Sequence, residues 1–254
     1  MTADRGNGGL PAAQPTLALL HTVLSLPPVF AALAEELLPD TELFHIVDES
    51  LLNVTRKTGA LTAVTRRRVL GYLESAAEAG ADLVLVTCSS IGQAVDAAQD
   101  FVPVPVLRVD EPMADEAVRL GRRVGVIATL ATTLEPTAAL VERRAQVAGR
   151  NVVVDSRVCH GAFEALQAGD RDRHDELVRE GLRALVANVD VIVLAQASMA
   201  RVVDSLPEDE RTVPILSSPR LGVTRAAELL RSMAAAAPPR SSSGRSPAGR
   251  SSPT

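Results

Sequence analysis

The chain has no tryptophan, one tyrosine and four phenylalanines in 254 residues. A core without large rings has to be assembled from alanine, valine and leucine, the residues that dominate its 46% hydrophobic share. Only two cysteines occur, Cys88 and Cys159, with no CxxC pair and no Cys/His ligand cluster. That scarcity fits a reducing cytoplasm and offers no structural metal site. No apolar run approaches the roughly 18 residues of a membrane span. The start, MTADRGNGGLPAAQP, lacks the basic and apolar regions of a signal peptide. Nor is there an excess of positive charge: the net charge is −5 with both signs interspersed, which argues against nucleic acid or an anionic membrane as partner. A glycine-rich phosphate loop is missing too, so nucleotide binding is not expected. What remains is a soluble, cytoplasmic α/β protein, with assembly into a homo-oligomer left open.

The stretch from Ala81 to Asp96 carries the most information. Asp82 precedes Leu83-Val84-Leu85-Val86, a short apolar run of the kind that forms a strand buried on both faces. Thr87-Cys88-Ser89-Ser90 follows, and an alanine-rich helix opens at Ile91-Gly92. A thiol and two hydroxyls at a strand-to-helix switch sit where open α/β sheets bind ligands. Free N–H groups of a first helical turn make an anion site and would lower a thiol's pKa toward the reactive thiolate. The alternative is a buried cysteine flanked by serine N-caps.

Along the chain, residues 1–15 are Gly/Pro/Ala-rich and expected to be unstructured. A first lobe covers 16–121, with strands at 17–22, 42–47, 83–86 and 104–109 and helices at 29–38, 62–79, 91–98 and 113–120. A second covers 122–236, with strands at 124–129, 151–154, 190–195 and 213–216 and helices at 135–147, 162–167, 175–188 and 223–235. The Pro/Ser/Arg-rich tail, 237–254, is too polar to pack and is expected to be disordered.

The second lobe repeats the first. Thr22 and Thr129 each follow a first strand (129 − 22 = 107). Asp48 and Asp155 each end a second (155 − 48 = 107), Asp82 and Asp190 precede a third (190 − 82 = 108), and Pro105 and Pro214 lie in a fourth (214 − 105 = 109). A period near 107 is far too long for a solenoid and predicts two pseudo-symmetric lobes, each a mainly parallel four-stranded sheet flanked by helices. Their strand-to-helix loops would face one another across a cleft.

With DLVLVTCSSIG, VGVIATLATT and DVIVLAQASM in these places, residues 16–233 resemble the aspartate/glutamate/hydantoin racemase superfamily, with maleate cis-trans isomerase and arylmalonate decarboxylase as relatives. The resemblance implies a cofactor-independent enzyme acting on a small carboxylate-bearing metabolite. Its racemases use one cysteine per lobe on opposite faces of the substrate α-carbon, with hydroxyl and amide groups holding the carboxylate. Cys88 occupies the first catalytic position, but its counterpart is Gln196 (196 − 88 = 108). A glutamine amide donates and accepts hydrogen bonds but is no base, so two-base racemisation is not intact. Isomerisation in which one thiolate attacks an activated double bond tolerates the loss best. Decarboxylation and ligand binding without chemistry are the alternatives.

The resemblance also implies substrate-binding roles for Ser89, Ser90, Thr129, Thr132, Gln196, Ala197 and Ser198. Thr133 and Asp110 are weaker candidates, as is His21, which ends the first strand at a position expected to face the cleft. The alternative for these serines and threonines is ordinary loop and helix-cap duty. Cys159-His160 is set aside, because adjacent residues on an extended segment point to opposite sides.

Overall fold

Four strands in this chain are short runs with apolar residues on both faces, and a strand of that kind is stable only between two helical layers. The computed structural model describes residues 14–236 and realises this arrangement twice. In chain order the first half holds β1 (Thr16–His21), α1 (Pro27–Leu37), β2 (Glu42–Val47), α2 (Glu49–Thr58), α3 (Ala63–Glu78), β3 (Leu83–Val86), α4 (Gly92–Ala98), β4 (Val106–Arg108) and α5 (Glu111–Leu120). The second half holds β5 (Arg123–Ala128), α6 (Ala131–Val147), β6 (Val153–Val158), α7 (Ala162–Gln167), α8 (Arg171–Val186), β7 (Val191–Leu194), α9 (Ala200–Asp204), β8 (Ile215–Ser217) and α10 (Ser218–Ala236). The expected unstructured ends, before residue 14 and from 237 on, lie outside the described residues.

Each half forms one all-parallel sheet, in the order β2-β1-β3-β4 and β6-β5-β7-β8. The registers match across the repeat: Leu20 lies opposite Val86 in the first sheet, and Ile127 opposite Leu194 in the second. The two-lobed α/β architecture is therefore as the repeat predicts.

Side-chain alternation splits the first sheet into two cores. Ala18, Leu20, Val84 and Val86 pack against Leu51 of α2 and Val69, Leu73 and Ala76 of α3. Leu17, Leu19, Leu83 and Leu85 pack on the opposite face against Phe30 and Ala34 of α1. Burying one such valine or leucine fully stabilises the fold by about 1.5–3 kcal/mol, so these small residues suffice when there are many of them.

The two lobes exchange helices. α5, which ends the first half of the sequence, places Met113, Ala114, Ala117 and Val118 against Val124, Val126, Val191 and Val193 of the second sheet. α10 returns to the first, where Val223, Ala226, Ala227 and Leu230 cover Leu17, Leu83 and Leu85. A division of the chain after residue 121 follows the order of elements; by packing, α5 lies with the second sheet and α10 with the first.

Two elements differ from the sequence reading in ways that matter below. Residues after Asp48 form α2: Asp48 caps it by accepting a hydrogen bond from Ser50 N, and Gly59 ends it in the left-handed region at φ 68°. α6 starts at Ala131, four residues before the expected Glu135, which puts Thr132 and Thr133 in its first turn.

Gly222 is where α10 comes closest to the first sheet: a Cβ there would lie 2.7 Å from Val109 Cγ2 and 3.1 Å from the Val109 carbonyl oxygen. Gly222→Ala is expected to lower stability by about 1–3 kcal/mol through overpacking. Thermal unfolding would read this as a Tm several degrees lower; an unchanged Tm would show that α10 is not seated this closely.

Candidate functional site

Because β1, β3, β5 and β7 are apolar on both faces, the first polar side chains appear just beyond their carboxyl ends. In the first lobe these are Thr22 after β1 and Thr87 and Cys88 after β3. Alternation decides which way each points. Cys88 continues the face of Val84 and Val86 and packs half-buried at the edge of that core. The chain then turns into a 3-10 turn at Ser89–Ile91 before α4.

The thiol's surroundings pull in opposite directions. Burial is the largest influence and raises its pKa; the Asp110 carboxylate raises it further. The Thr22 hydroxyl and the backbone N–H groups of Ser90 and Ile91 lower it. Burial wins, and the thiol lies above its ordinary range. The expectation of a thiol activated by the helix end is thus corrected: the amides are in place, but desolvation of the thiolate outweighs them. Thr22, a mere repeat landmark in the sequence, belongs to this group. Its Oγ1 is buried, with no hydrogen-bond partner of ordinary geometry among the described residues.

The second lobe has the matching corner. Thr129 follows β5 and Gln196 follows β7. Gln196 Oε1 accepts hydrogen bonds from Thr129 N at 2.6 Å and from Thr129 Oγ1 at 2.9 Å. The backbone donor fixes the amide orientation, because only the oxygen can accept. The Nε2 group is left without a protein partner among the described residues. Thr22 beside Cys88 in one lobe thus corresponds to Thr129 bound to Gln196 in the other; the 107-residue offset was the signal that could have marked Thr22.

One hydrogen bond joins the corners: Ser90 Oγ and Thr133 Oγ1 lie 3.0 Å apart, both buried. The neighbouring Thr132 Oγ1 is buried in the first turn of α6, with no hydrogen-bond partner among the described residues. Ser89 is buried, while Ala197 and Ser198 are half-buried in the 3-10 turn after Gln196. Of the remaining candidates, Asp110 lies 1% exposed in a bidentate pair with Arg108, at 3.0 and 2.8 Å. Arg108 reaches on to Asp96, and Arg143 of α6 binds the same Asp96 oxygen. Cys159 is packed against Gly181 of α8 and burial pushes its pKa up to about 11, so it is a core residue. No group of three or more potential metal ligands is clustered among the described residues.

His21 does not face the cleft. It continues the face of Leu17 and Leu19, opposite Cys88, and its ring lies against Phe30. Nδ1 is 2.8 Å from Thr87 Oγ1 and Nε2 is 2.9 Å from His45 Nδ1. Burial, followed by the nearby His45, lowers its pKa from 6.5 to about 4.

A family model described as Asp/Glu/hydantoin racemase matches residues 22–226. No curated protein matches the chain. Among solved structures, glutamate racemase isoform RacE1 from Bacillus anthracis superposes with a TM-score of 0.67 at 17% identity, covering 86% of this chain and 82% of that one. Allantoin racemase from Klebsiella pneumoniae gives 0.62 at 20% identity, over 87% and 88%. An aspartate racemase homologue from Pyrococcus horikoshii OT3 gives 0.60 at 13%, over 86% and 100%. At these identities the likeness is one of fold.

The His21 shift sets a pH dependence. A histidine whose folded pKa is depressed binds its proton first in the unfolded chain, so its contribution is complete above pH 6.5 and is lost as pH falls toward about 4. The span corresponds to about 3 kcal/mol at most. Urea unfolding at pH 7 and pH 4.5 should therefore show a smaller acid loss in His21→Phe than in the wild type; equal losses would remove His21 from the account.

Proposed function

The chain belongs to the Asp/Glu/hydantoin racemase family, and from that premise we propose that it is a cofactor-independent isomerase of a small carboxylate-bearing substrate with Cys88 as its single thiol. The observation that carries this reading is the pair of corners: a thiol with two amides and a hydroxyl turned to it in one lobe, and no second thiol or base facing it from the matching position in the other.

A single thiol restricts the chemistry. A thiolate that removes an α-proton and returns it from the same side exchanges the hydrogen without inverting the carbon. Inversion needs a donor on the other face, and the Gln196 amide is not one. Addition and elimination at a double bond conjugated to a carboxylate avoids the problem. Cys88 Sγ adds to the β-carbon and the π-electron pair moves onto the carboxylate-bearing side. The new single bond rotates, the pair returns, and the carbon–sulfur bond breaks. Electrons and atoms balance with no co-reactant. The charge built up in the intermediate calls for donors, and the Thr132 hydroxyl, which has no hydrogen-bond partner among the described residues, and Gln196 Nε2 are candidates for that role.

The raised pKa is compatible with this role: the thiol gives up its proton to solvent before it adds, and the Thr22 hydroxyl and the Ser90 and Ile91 amides favour the thiolate that results. A second reading, a binding protein that kept the cleft and lost the chemistry, is favoured by Gln196 alone.

Two measurements test these readings. Alkylation of Cys88 by iodoacetamide should follow an ionisation above that of a free cysteine and be slowed by a bound small carboxylate. A ligand-free thiol with an ordinary or depressed ionisation would contradict the burial argument. Proton NMR of unsaturated and α-substituted carboxylates should then show isomerisation that falls by at least about a hundredfold in Cys88→Ala. Equal ligand-induced Tm shifts in both proteins with no turnover would establish the binding-only reading instead.

A further inference from the structure

β1 and β3 run side by side, and each leads into a pair of polar or reactive residues, His21-Thr22 and Thr87-Cys88. Alternation turns the members of each pair to opposite faces of the sheet. Thr22 and Cys88 stand on the cleft face, where the Thr22 hydroxyl is one of the groups that favour the thiolate. His21 and Thr87 stand behind them, on the face of Leu17 and Leu19, and both are buried. There His21 Nδ1 lies 2.8 Å from Thr87 Oγ1. A tie thus joins the two strand ends directly behind the thiol.

The network assigns the protons. The Thr87 hydroxyl lies 3.1 Å from the Leu20 carbonyl oxygen, which can only accept, so the hydroxyl donates there and its oxygen receives His21 Nδ1–H. His21 Nε2 then carries the lone pair and accepts from His45 Nδ1–H of β2 at 2.9 Å. Every polar atom of the His21 ring and of the Thr87 side chain is engaged. A buried tie of this kind keeps its geometry, because breaking it would leave desolvated polar groups unpaired.

The second lobe is built the other way round. The residues that correspond to His21 and Thr87 are Ala128 (128 − 21 = 107) and Ala195 (195 − 87 = 108), whose methyl groups make no hydrogen bond. There the cleft-facing pair holds itself, since Thr129 gives both its N–H and its hydroxyl to Gln196 Oε1. In the first lobe the cleft-facing Thr22 Oγ1 has no hydrogen-bond partner of ordinary geometry among the described residues, and the firm bond lies behind. A tie from behind fixes the spacing of the two strand ends. It leaves the Thr22 hydroxyl free to turn to the sulfur when the thiolate forms.

We propose that His21, bonded to Thr87, is the positioning residue that holds Thr22 opposite the Cys88 sulfur. The proposal rests on the reading of Cys88 as the working thiol and deepens it: His21 touches no substrate and acts through the spacing of the ends of β1 and β3.

The test follows alkylation of Cys88 by iodoacetamide against pH in the full chain, read at the Cys88 peptide by mass spectrometry, with Tm measured alongside. His21→Phe removes the tie and keeps a ring against Phe30. It should raise the midpoint of Cys88 ionisation by about half to one pH unit, so that alkylation below the midpoint slows roughly three- to tenfold. His21→Asn, whose amide N–H can replace Nδ1–H, should recover most of the wild-type profile. Thr87→Val should reproduce the shift and Thr87→Ser should not, and this pair decides the question if His21→Phe does not fold. Because the tie acts through Thr22, adding His21→Phe to Thr22→Val should move the midpoint no further than Thr22→Val alone. A lower Tm with an unmoved midpoint in His21→Phe would make His21 a core residue only and overturn the proposal, as would shifts that add in the double variant. Either result leaves the isomerase reading standing, since that reading is decided by turnover and its loss in Cys88→Ala. A wild-type Cys88 that stays unmodified at every pH would overturn the single-thiol reading and the role of His21 with it.

Discussion

The central constraint on this molecule is that its inner strands are buried on both faces. β1, β3, β5 and β7 carry hardly a polar atom between their ends. A buried polar group without a partner is costly, so chemistry is expelled to the positions where the strands stop and the chain turns toward a helix. Thr22, Cys88, Thr129 and Gln196 all sit one or two residues past a strand end. The scarcity of aromatic residues has the same origin in packing. Thin layers of alanine and valine allow helices to lie close on the sheets, as Gly222 does against Val109 and Gly181 against Cys159. The exchange of α5 and α10 between lobes follows as well, since each covers a sheet face that the other half of the sequence leaves partly open.

The repeat gives each lobe the same corner and then fills the two differently. A threonine hydroxyl lies beside the group that follows the third strand in both lobes. Where that group is Cys88, the threonine is left without a settled hydrogen bond and serves the thiol. Where it is Gln196, the threonine gives two hydrogen bonds to the amide oxygen. The glutamine is therefore a held residue, its orientation set by a backbone N–H, and its free Nε2 is presented rather than buried.

Much of this was legible in the sequence because it depends on local pattern. Apolar runs of four to six residues mark the inner strands, and the constant offset of Thr22/Thr129 and Asp82/Asp190 marks the repeat. What escaped was set by long-range packing or by caps read too narrowly. Asp48 was read as the end of the second strand with no helix placed after it, although an Asp followed eleven residues later by a glycine frames a ten-residue helix. His21 was assigned to the cleft because it ends a strand, but one residue of alternation separates the cleft face from the α1 face, and Thr22 takes the cleft position instead. No spacing rule could reveal the exchange of α5 and α10, because both helices carry apolar faces suited to either sheet.

The electrostatics of the corner follow from what surrounds it. A carboxylate brought beside a thiolate repels it, and a buried site strengthens the repulsion. The protein already holds Asp110 near the thiol, and it contains that charge by a bidentate pair with Arg108, which is itself 3% exposed and reaches Asp96 as well. Gly92 makes the arrangement feasible, since a Cβ there would stand 2.3 Å from the guanidinium carbon. Arg143 then ties Asp96 to α6, so the helix that presents Thr132 and Thr133 is linked by charge to the turn that carries Ser90. The acidic charge nearest the thiol is thus neutralised within the fold, and the desolvated thiol faces a paired carboxylate rather than a bare one.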